Sequence, residues 1–129
     1  MQANKELSNY RLEKAVESLV AAKSLLVLEQ YPTAASSSYF CVFHCIRSVL
    51  ALNSVDFKKH SAVISYFREN YIKTGKLETK LSDIIGTLFK IRSQSDYEDF
   101  FIISKEDVAQ QIKNAEYFLA QIKEYLKSQ

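Results

Sequence analysis

Glycine and proline are scarce in this sequence, which has two glycines and one proline among its 129 residues. β-Sheet proteins use these residues to punctuate their strands, and their strands show alternating apolar and polar positions. No such alternation persists here for more than a few residues. The scarcity therefore predicts an all-α protein.

Long apolar runs are also missing. No run approaches the ~20 residues that cross a bilayer, and the first residues, MQANKELSNYRLEK, are too polar for a signal peptide. We therefore expect a cytoplasmic protein without membrane contact. A chain of 129 residues has the length of one typical domain, so we treat 1–129 as a single domain.

Motifs for metal and phosphate chemistry are absent as well. The sequence has no glycine-rich phosphate loop, no Gly-x-Ser-x-Gly, no paired-cysteine zinc motif and no His-Glu-x-x-His. Its two cysteines, Cys41 and Cys45, lie four apart on one face of a predicted helix, which suits buried reduced thiols better than a disulfide. His44 points away from that face, so we expect no metal and no other cofactor.

Apolar residues recur at helical spacing in five segments, which predict helices at about 4–29, 32–53, 61–71, 78–95 and 105–127. Gly75 should end the third helix, and Ser104 should cap the last. Arg47 is the only charged residue from Gln30 to Val55, so the second helix should be the central one. Short connections predict an antiparallel up-and-down bundle of four main helices plus a shorter fifth helix.

Charge is unevenly distributed along the second half of the chain. Residues 58–92 contain eight basic and three acidic residues, whereas residues 93–107 contain one basic and five acidic residues. If folding keeps these blocks apart, the first region attracts phosphates and the second repels them or meets a basic partner.

His44 and Arg47 share one face of the central helix. A lone arginine there needs a carboxylate or a water-filled cleft, because an unpaired buried charge costs several kcal/mol. Asp96 is a candidate partner. One interpretation is a hydrogen-bonded histidine beside an arginine that reaches the surface or a subunit interface. The other is a functional cleft.

Lys58, Lys59 and His60 precede or begin the third predicted helix. His60 is either a solvated residue at a helix start or part of a phosphate contact with the two lysines. Further along, Arg92 and Asp96 have the spacing of a surface ion pair worth about 0.3 kcal/mol. Arg92 could instead grip a phosphate with two hydrogen bonds, while Tyr97 stacks on a base or holds a hydroxyl donor beside it.

Four separated stretches, covering nearly the whole chain, resemble the HEPN domain in its small stand-alone prokaryotic branch. They are YRLEKAVESLVAAKSLL, SSSYFCVFHCIRSVLAL, DFKKHSAVISYFRENYIKTGKL and LFKIRSQSDYEDF with the last helix. The resemblance implies a helical bundle, usually a homodimer, that is often paired with a minimal nucleotidyltransferase. Many members of the family are metal-independent ribonucleases, and some are toxins restrained by that partner.

The family's ribonuclease signature is an arginine followed, after four to six residues, by a histidine. In such a site the arginine stabilises the charged phosphorane and the histidine moves protons. Arg92 occupies the arginine position, but the following SQSDYEDF contains no histidine. Asp96 and Tyr97 stand there instead, and aspartate is ordinarily ionised at neutral pH and donates protons poorly.

The resemblance thus predicts an RNA- or nucleotide-binding HEPN protein, paired with a nucleotidyltransferase in a toxin–antitoxin or defence setting, with an altered catalytic motif. In this interpretation Arg92 contacts phosphate, Asp96 and Tyr97 support it, and His44 and Arg47 form the opposite side of the cleft. Two alternatives stay open. One is an active metal-independent endoribonuclease that uses Arg92 with His44, and the other is a non-catalytic helical dimerisation module.

Overall fold

Five α-helices form the protein in the structure, a computed structural model that describes residues 2–129. Four helices have 18 to 26 residues and one has eight, and no strand occurs in this range. The all-α bundle of four main helices and a shorter fifth is thereby confirmed. The elements are α1 (Gln2–Val27), α2 (Tyr31–Ala51), α3 (His60–Phe67), a π-helical turn (Arg68–Ile72), α4 (Lys80–Tyr97) and α5 (Lys105–Lys127).

α1 and α2 run antiparallel after a short turn. The Asn4 side-chain amide near the start of α1 donates a hydrogen bond of 3.3 Å to the carbonyl of Leu52, which follows α2. At the other end of α1, Lys23 Nζ lies 2.6 Å from Glu116 Oε2 on α5. These contacts fix both ends of α1 on the bundle. None of the helices within residues 2–129 combines the length and the apolar character that a bilayer span needs.

α2 is the central helix, as its sequence predicts. Thirteen of its 21 residues are buried, and it packs against α1, α3, α4 and α5. Cys41 and Cys45 are fully buried and are not joined in a disulfide, which confirms their predicted state as reduced thiols. Arg47 keeps about a quarter of its side chain exposed, at 28%.

Ser104 caps α5 as predicted, whereas Gly75 follows the π-helical turn and not α3 itself, which ends at Phe67. Gly75 has φ +82°, a left-handed conformation that favours glycine, and its N–H donates to the carbonyl of Ile72. Ser104 Oγ accepts a hydrogen bond of 3.0 Å from the Asp107 N–H at the start of α5. α4 extends to Tyr97, two residues beyond its predicted end, so Asp96 and Tyr97 lie within the helix.

Candidate functional site

The Arg92 guanidinium lies over two aromatic rings of the central helix. Its guanidinium carbon is 5.0 Å from the ring centre of Tyr39 and 4.8 Å from that of Phe40, within the range of cation–π attraction. Its Nε atom lies 3.5 Å from Asp96 Oδ2, so the predicted i,i+4 ion pair is present. That atom is nevertheless buried without a hydrogen-bond partner among residues 2–129. The aromatic rings, more than hydrogen bonds, hold this arginine in place.

His60, the first residue of α3, stacks on Phe43 with ring centres 3.9 Å apart. Its Nδ1 atom is 2.9 Å from the Tyr39 hydroxyl oxygen. Burial lowers the pKa of His60 below its ordinary value of 6.5, and the positive charges of Arg92 and Arg47 lower it further. The interpretation of His60 as a simply solvated residue is wrong, because aromatic packing half-buries the ring.

A surface pocket of about 290 Å³, here called the Arg92 pocket, opens beside these two residues. It brings together basic residues from the α2–α3 loop, the first turn of α3 and the last turns of α4. Arg92, Asp96 and Tyr97 therefore share one site with Lys59 and His60. The pocket is lined by Lys59, His60, Ser61, Phe89, Arg92, Ser93, Asp96 and Tyr97.

His60 also lines a second pocket of about 380 Å³, here called the Arg47 pocket. Arg47 Nη2 donates a hydrogen bond of 2.7 Å to Asp56 Oδ2 there. The predicted pairing of Arg47 with Asp96 is wrong, since Asp96 pairs with Arg92 on its own helix. The pocket is lined by Phe43, Arg47, Asp56, Phe57, Lys58 and His60.

Asp56 receives a second arginine, because Arg11 Nη2 on α1 lies 3.2 Å from the same carboxylate oxygen. Partial burial works against ionisation of this carboxyl. Hydrogen bonds from Arg47 and from the Phe57 N–H, together with the charges of Arg47 and Arg11, outweigh that effect and lower the pKa of Asp56. Asp56 therefore stays ionised and ties the α2–α3 loop to two helices.

His44 lines neither of these pockets. It lies in a groove of about 480 Å³ between α1 and α2, beside Lys14, Ser37 and Phe40. Its Nδ1 atom is buried without a hydrogen-bond partner among residues 2–129. Burial first, then neighbouring positive charges led by Arg47, lower the pKa of His44. The histidine that shares a pocket with Arg92 is thus His60, while a catalytic role for His44 stays a prediction.

The sequence does not predict that His60 and Arg92 line the same pocket. Their common neighbour is Tyr39, which the sequence marks only as an aromatic residue of the central core. The nearest signal was the Lys58-Lys59-His60 run, already a candidate phosphate contact. The acidic and basic blocks also do not stay apart, because Asp96 lines the same pocket as Lys59 and Arg92.

Metal ligands are not grouped in the described part of the chain. Residues 2–129 contain no cluster of three or more histidine, cysteine, aspartate or glutamate side chains that could hold a metal ion. The arrangement around Arg92 offers cationic donors and aromatic surfaces instead. Such a set suits an anionic ligand with planar groups.

Comparisons with known proteins place the chain in a family. The HEPN domain model matches residues 8–125. A Methanocaldococcus jannaschii protein named "Putative toxin MJ0142" is 33% identical over 117 residues, which cover 91% of this chain and 80% of that protein. The "UPF0332 protein" of Thermotoga maritima is 29% identical over 127 residues, covering 98% of this chain and 96% of that protein. A second M. jannaschii protein, "Putative toxin MJ0605", is 31% identical over 116 residues, covering 90% and 86%. Because the family match spans all five helices, the chain belongs to the HEPN domain family.

Proposed function

We propose that this protein is a toxin-like HEPN protein that binds RNA at the Arg92 pocket. The observation that carries the proposal is the mounting of the Arg92 guanidinium on Tyr39 and Phe40, beside Lys59 and His60. The names of two M. jannaschii relatives contain the word toxin. A homodimer, restrained by a minimal nucleotidyltransferase, is the assembly that we propose for it.

The chemistry of the pocket favours a phosphate ligand. Arginine binds phosphate through two parallel N–H donors, and lysine adds a mobile positive charge. Asp96 offsets one of these charges, which leaves the pocket with a net positive charge from Arg92 and Lys59. Tyr97 is 84% exposed and Phe89 is 38% exposed, so both rings are accessible for stacking with a base. A phosphate with an attached base matches both features.

The residues of the pocket also bear on whether the protein cleaves RNA. In place of the family's motif histidine, α4 carries Asp96 and Tyr97, so we propose binding with altered or lost cleavage. The second candidate function is a metal-independent endoribonuclease, and the observation that favours it is the presence of His60 beside Arg92. It predicts RNA cleavage without added metal that is abolished by His60→Ala. Loss of cleavage in His44→Ala instead would support His44 as the histidine that acts with Arg92.

Binding of labelled single-stranded RNA by fluorescence anisotropy tests the proposed function. We expect Arg92→Ala to weaken binding about tenfold to a hundredfold, because hydrogen bonds to a charged group are worth about 1.5–3 kcal/mol. Arg92→Lys keeps the charge but not the paired donors, so its affinity should be intermediate. Lys113→Ala is the matched control, since Lys113 is exposed on α5 and lines neither pocket. Wild-type affinity in Arg92→Ala would refute the proposal.

The proposed partner is tested separately by co-expression with a nucleotidyltransferase encoded beside this protein. Co-purification in a defined ratio is the expected result, and light scattering of the protein alone should give the mass of a dimer. A monomer that does not bind any such enzyme would remove the partner and the homodimer from the proposal. RNA binding would be unaffected by that outcome.

A further inference from the structure

The Arg92 pocket and the Arg47 pocket share His60 and are lined by matching sets of charged side chains. The Arg92 pocket contains Arg92, Lys59 and Asp96, and the Arg47 pocket contains Arg47, Lys58 and Asp56. In each pocket the arginine is paired with the aspartate, at 3.5 Å and 2.7 Å. The two lysines are exposed and adjacent in the sequence. Lys58 lines the Arg47 pocket, and Lys59 lines the Arg92 pocket.

The net charge of each pocket favours a singly charged phosphate over a doubly charged one. The charged residues that line each pocket, one arginine, one lysine and one aspartate, sum to +1 when His60 is neutral, and Arg11 adds a further positive charge behind Asp56 in the Arg47 pocket. A phosphodiester within a nucleic-acid strand carries a single negative charge and matches one such pocket. Two neighbouring phosphodiesters therefore match the two pockets better than one doubly charged terminal phosphate does.

The hydrogen bond to Tyr39 favours one tautomer of neutral His60. Tyr39 is 1% exposed, and burial raises its pKa to about 12, so its hydroxyl keeps its proton and needs an acceptor. His60 Nδ1 is its hydrogen-bond partner within residues 2–129. When Tyr39 donates to Nδ1, the neutral imidazole carries its own proton on Nε2.

The Nε2 atom of His60 is free to bind a ligand group. It makes no hydrogen bond to residues 2–129, and it is not among the side-chain nitrogens that are closed off from solvent without a partner. Since His60 lines both pockets, an Nε2–H donor there is available to a ligand that occupies them. A strand that crosses from one pocket to the other passes this donor.

Aromatic side chains flank the basic residues. Phe57 lines the Arg47 pocket and is 41% exposed, while Phe89 and the more exposed Tyr97 line the Arg92 pocket. Stacking on a protein ring requires a base that is not paired in a duplex, whereas stacking tolerates every base type. The rings therefore favour a single strand without strong sequence preference.

We propose that the Arg47 and Arg92 pockets bind two successive phosphodiesters of one single-stranded nucleic acid, which crosses over His60. The proposal rests on the proposed function and extends it from one phosphate contact to a defined path. Lys58 and Lys59 each contact a different phosphate of that strand. Phosphate recognition of this kind is shared by RNA and DNA, so the experiment includes both.

The salt dependence of binding counts the phosphate contacts. For single strands, the slope of log K against log salt concentration falls by about 0.7 for each neutralised phosphate. The probe is a short 2′-O-methyl oligouridine, which cannot be cleaved through its 2′-oxygen, with a single-stranded deoxyoligonucleotide in parallel. We expect Lys58→Ala and Lys59→Ala each to make this negative slope less steep by about 0.7, their combination to make it less steep by about 1.4, and Lys113→Ala not to change it.

Other outcomes separate this inference from the proposed function. If Lys59→Ala and Arg92→Ala weaken binding while Lys58→Ala behaves as Lys113→Ala does, the two-pocket path is wrong and RNA binding at Arg92 stands. If the wild-type protein binds no RNA, both proposals fall. A duplex that binds as tightly as the single strand would overturn the stacking of bases on Phe57 and Tyr97. Failure of both lysine substitutions to affect the DNA probe would overturn phosphate contact as their role.

Discussion

Removing the Tyr39 hydroxyl group alone tests its hydrogen bond to His60. Tyr39→Phe keeps the ring that packs against Phe43 and Arg92 but removes the donor to His60 Nδ1. A typical buried hydrogen bond contributes about 0.5–1.5 kcal/mol to stability. We therefore expect the free energy of unfolding to fall by about 1 kcal/mol, roughly a fivefold change in the unfolding constant.

The same substitution should raise the pKa of His60. In the wild-type protein the Tyr39 hydroxyl donates to the lone pair of Nδ1, which stabilises the neutral imidazole relative to the protonated one. Without this donor, the neutral form loses its partner while the charges of Arg92 and Arg47 still act on the protonated form. The pKa should therefore rise toward its ordinary value.

Urea unfolding and nitrogen-15 NMR of the two histidine side chains measure both effects. Nitrogen chemical shifts distinguish Nδ1 from Nε2 protonation, so the wild-type spectrum also tests the Nε2–H assignment for His60. His44 is an internal control for the hydrogen bond itself, because it lies in a different groove and makes no hydrogen bond to the Tyr39 hydroxyl. Wild-type protein with the His60 proton on Nδ1, or an unchanged His60 pKa in Tyr39→Phe, would refute the reasoning.

Two further predictions concern stability. The pKa values of His44 and His60 are lowered in the folded state, so the unfolded chain binds more protons near the ordinary histidine pKa. Stability should therefore fall as pH drops from neutral through about 6.5, and it should be constant just above that range. Thermal melts measure this dependence. Melts that show no such fall, or that show an equal fall in the double variant His44→Gln with His60→Gln, would contradict the prediction. Ser104→Ala should cost about 1 kcal/mol through loss of the α5 cap, whereas Ser104→Asp should retain stability, and equal urea midpoints for the two variants would contradict the role of the cap.

The helices could be predicted because their signals are local. α5 begins and ends at Lys105 and Lys127, as predicted, since its cap and its apolar stripe are both within the segment. The end of α3 could not be predicted, because it depends on packing against a distant helix. After Phe67 the chain widens into a π-helical turn, in which the Lys73 N–H bonds to the carbonyl of Arg68 five residues earlier. Packing of Tyr71 against α5 accompanies that turn, and no spacing rule reports it.

The site was predictable in its parts but not in its pairings. Arg92 was identified from the family signature, and the Lys58–His60 run from its charge. The partner of Arg47 could not be chosen from the sequence, because Asp56 and Asp96 are chemically identical and loop geometry decides between them. The proximity of His60 to Arg92 could not be predicted either, because it depends on Tyr39 of the central helix, which contacts both residues.

The double ion pair of Asp56 also bears on how much flexibility the α2–α3 loop loses when a ligand binds. Fixing a residue's backbone costs about 1–2 kcal/mol of conformational entropy, and a loop held by Arg11 and Arg47 has already lost this freedom on folding. Lys58 and Lys59 follow Asp56 by two and three residues, so their backbone is pre-organised. Within this loop a ligand then has only the two lysine side chains to order, which lowers the entropic cost of binding there.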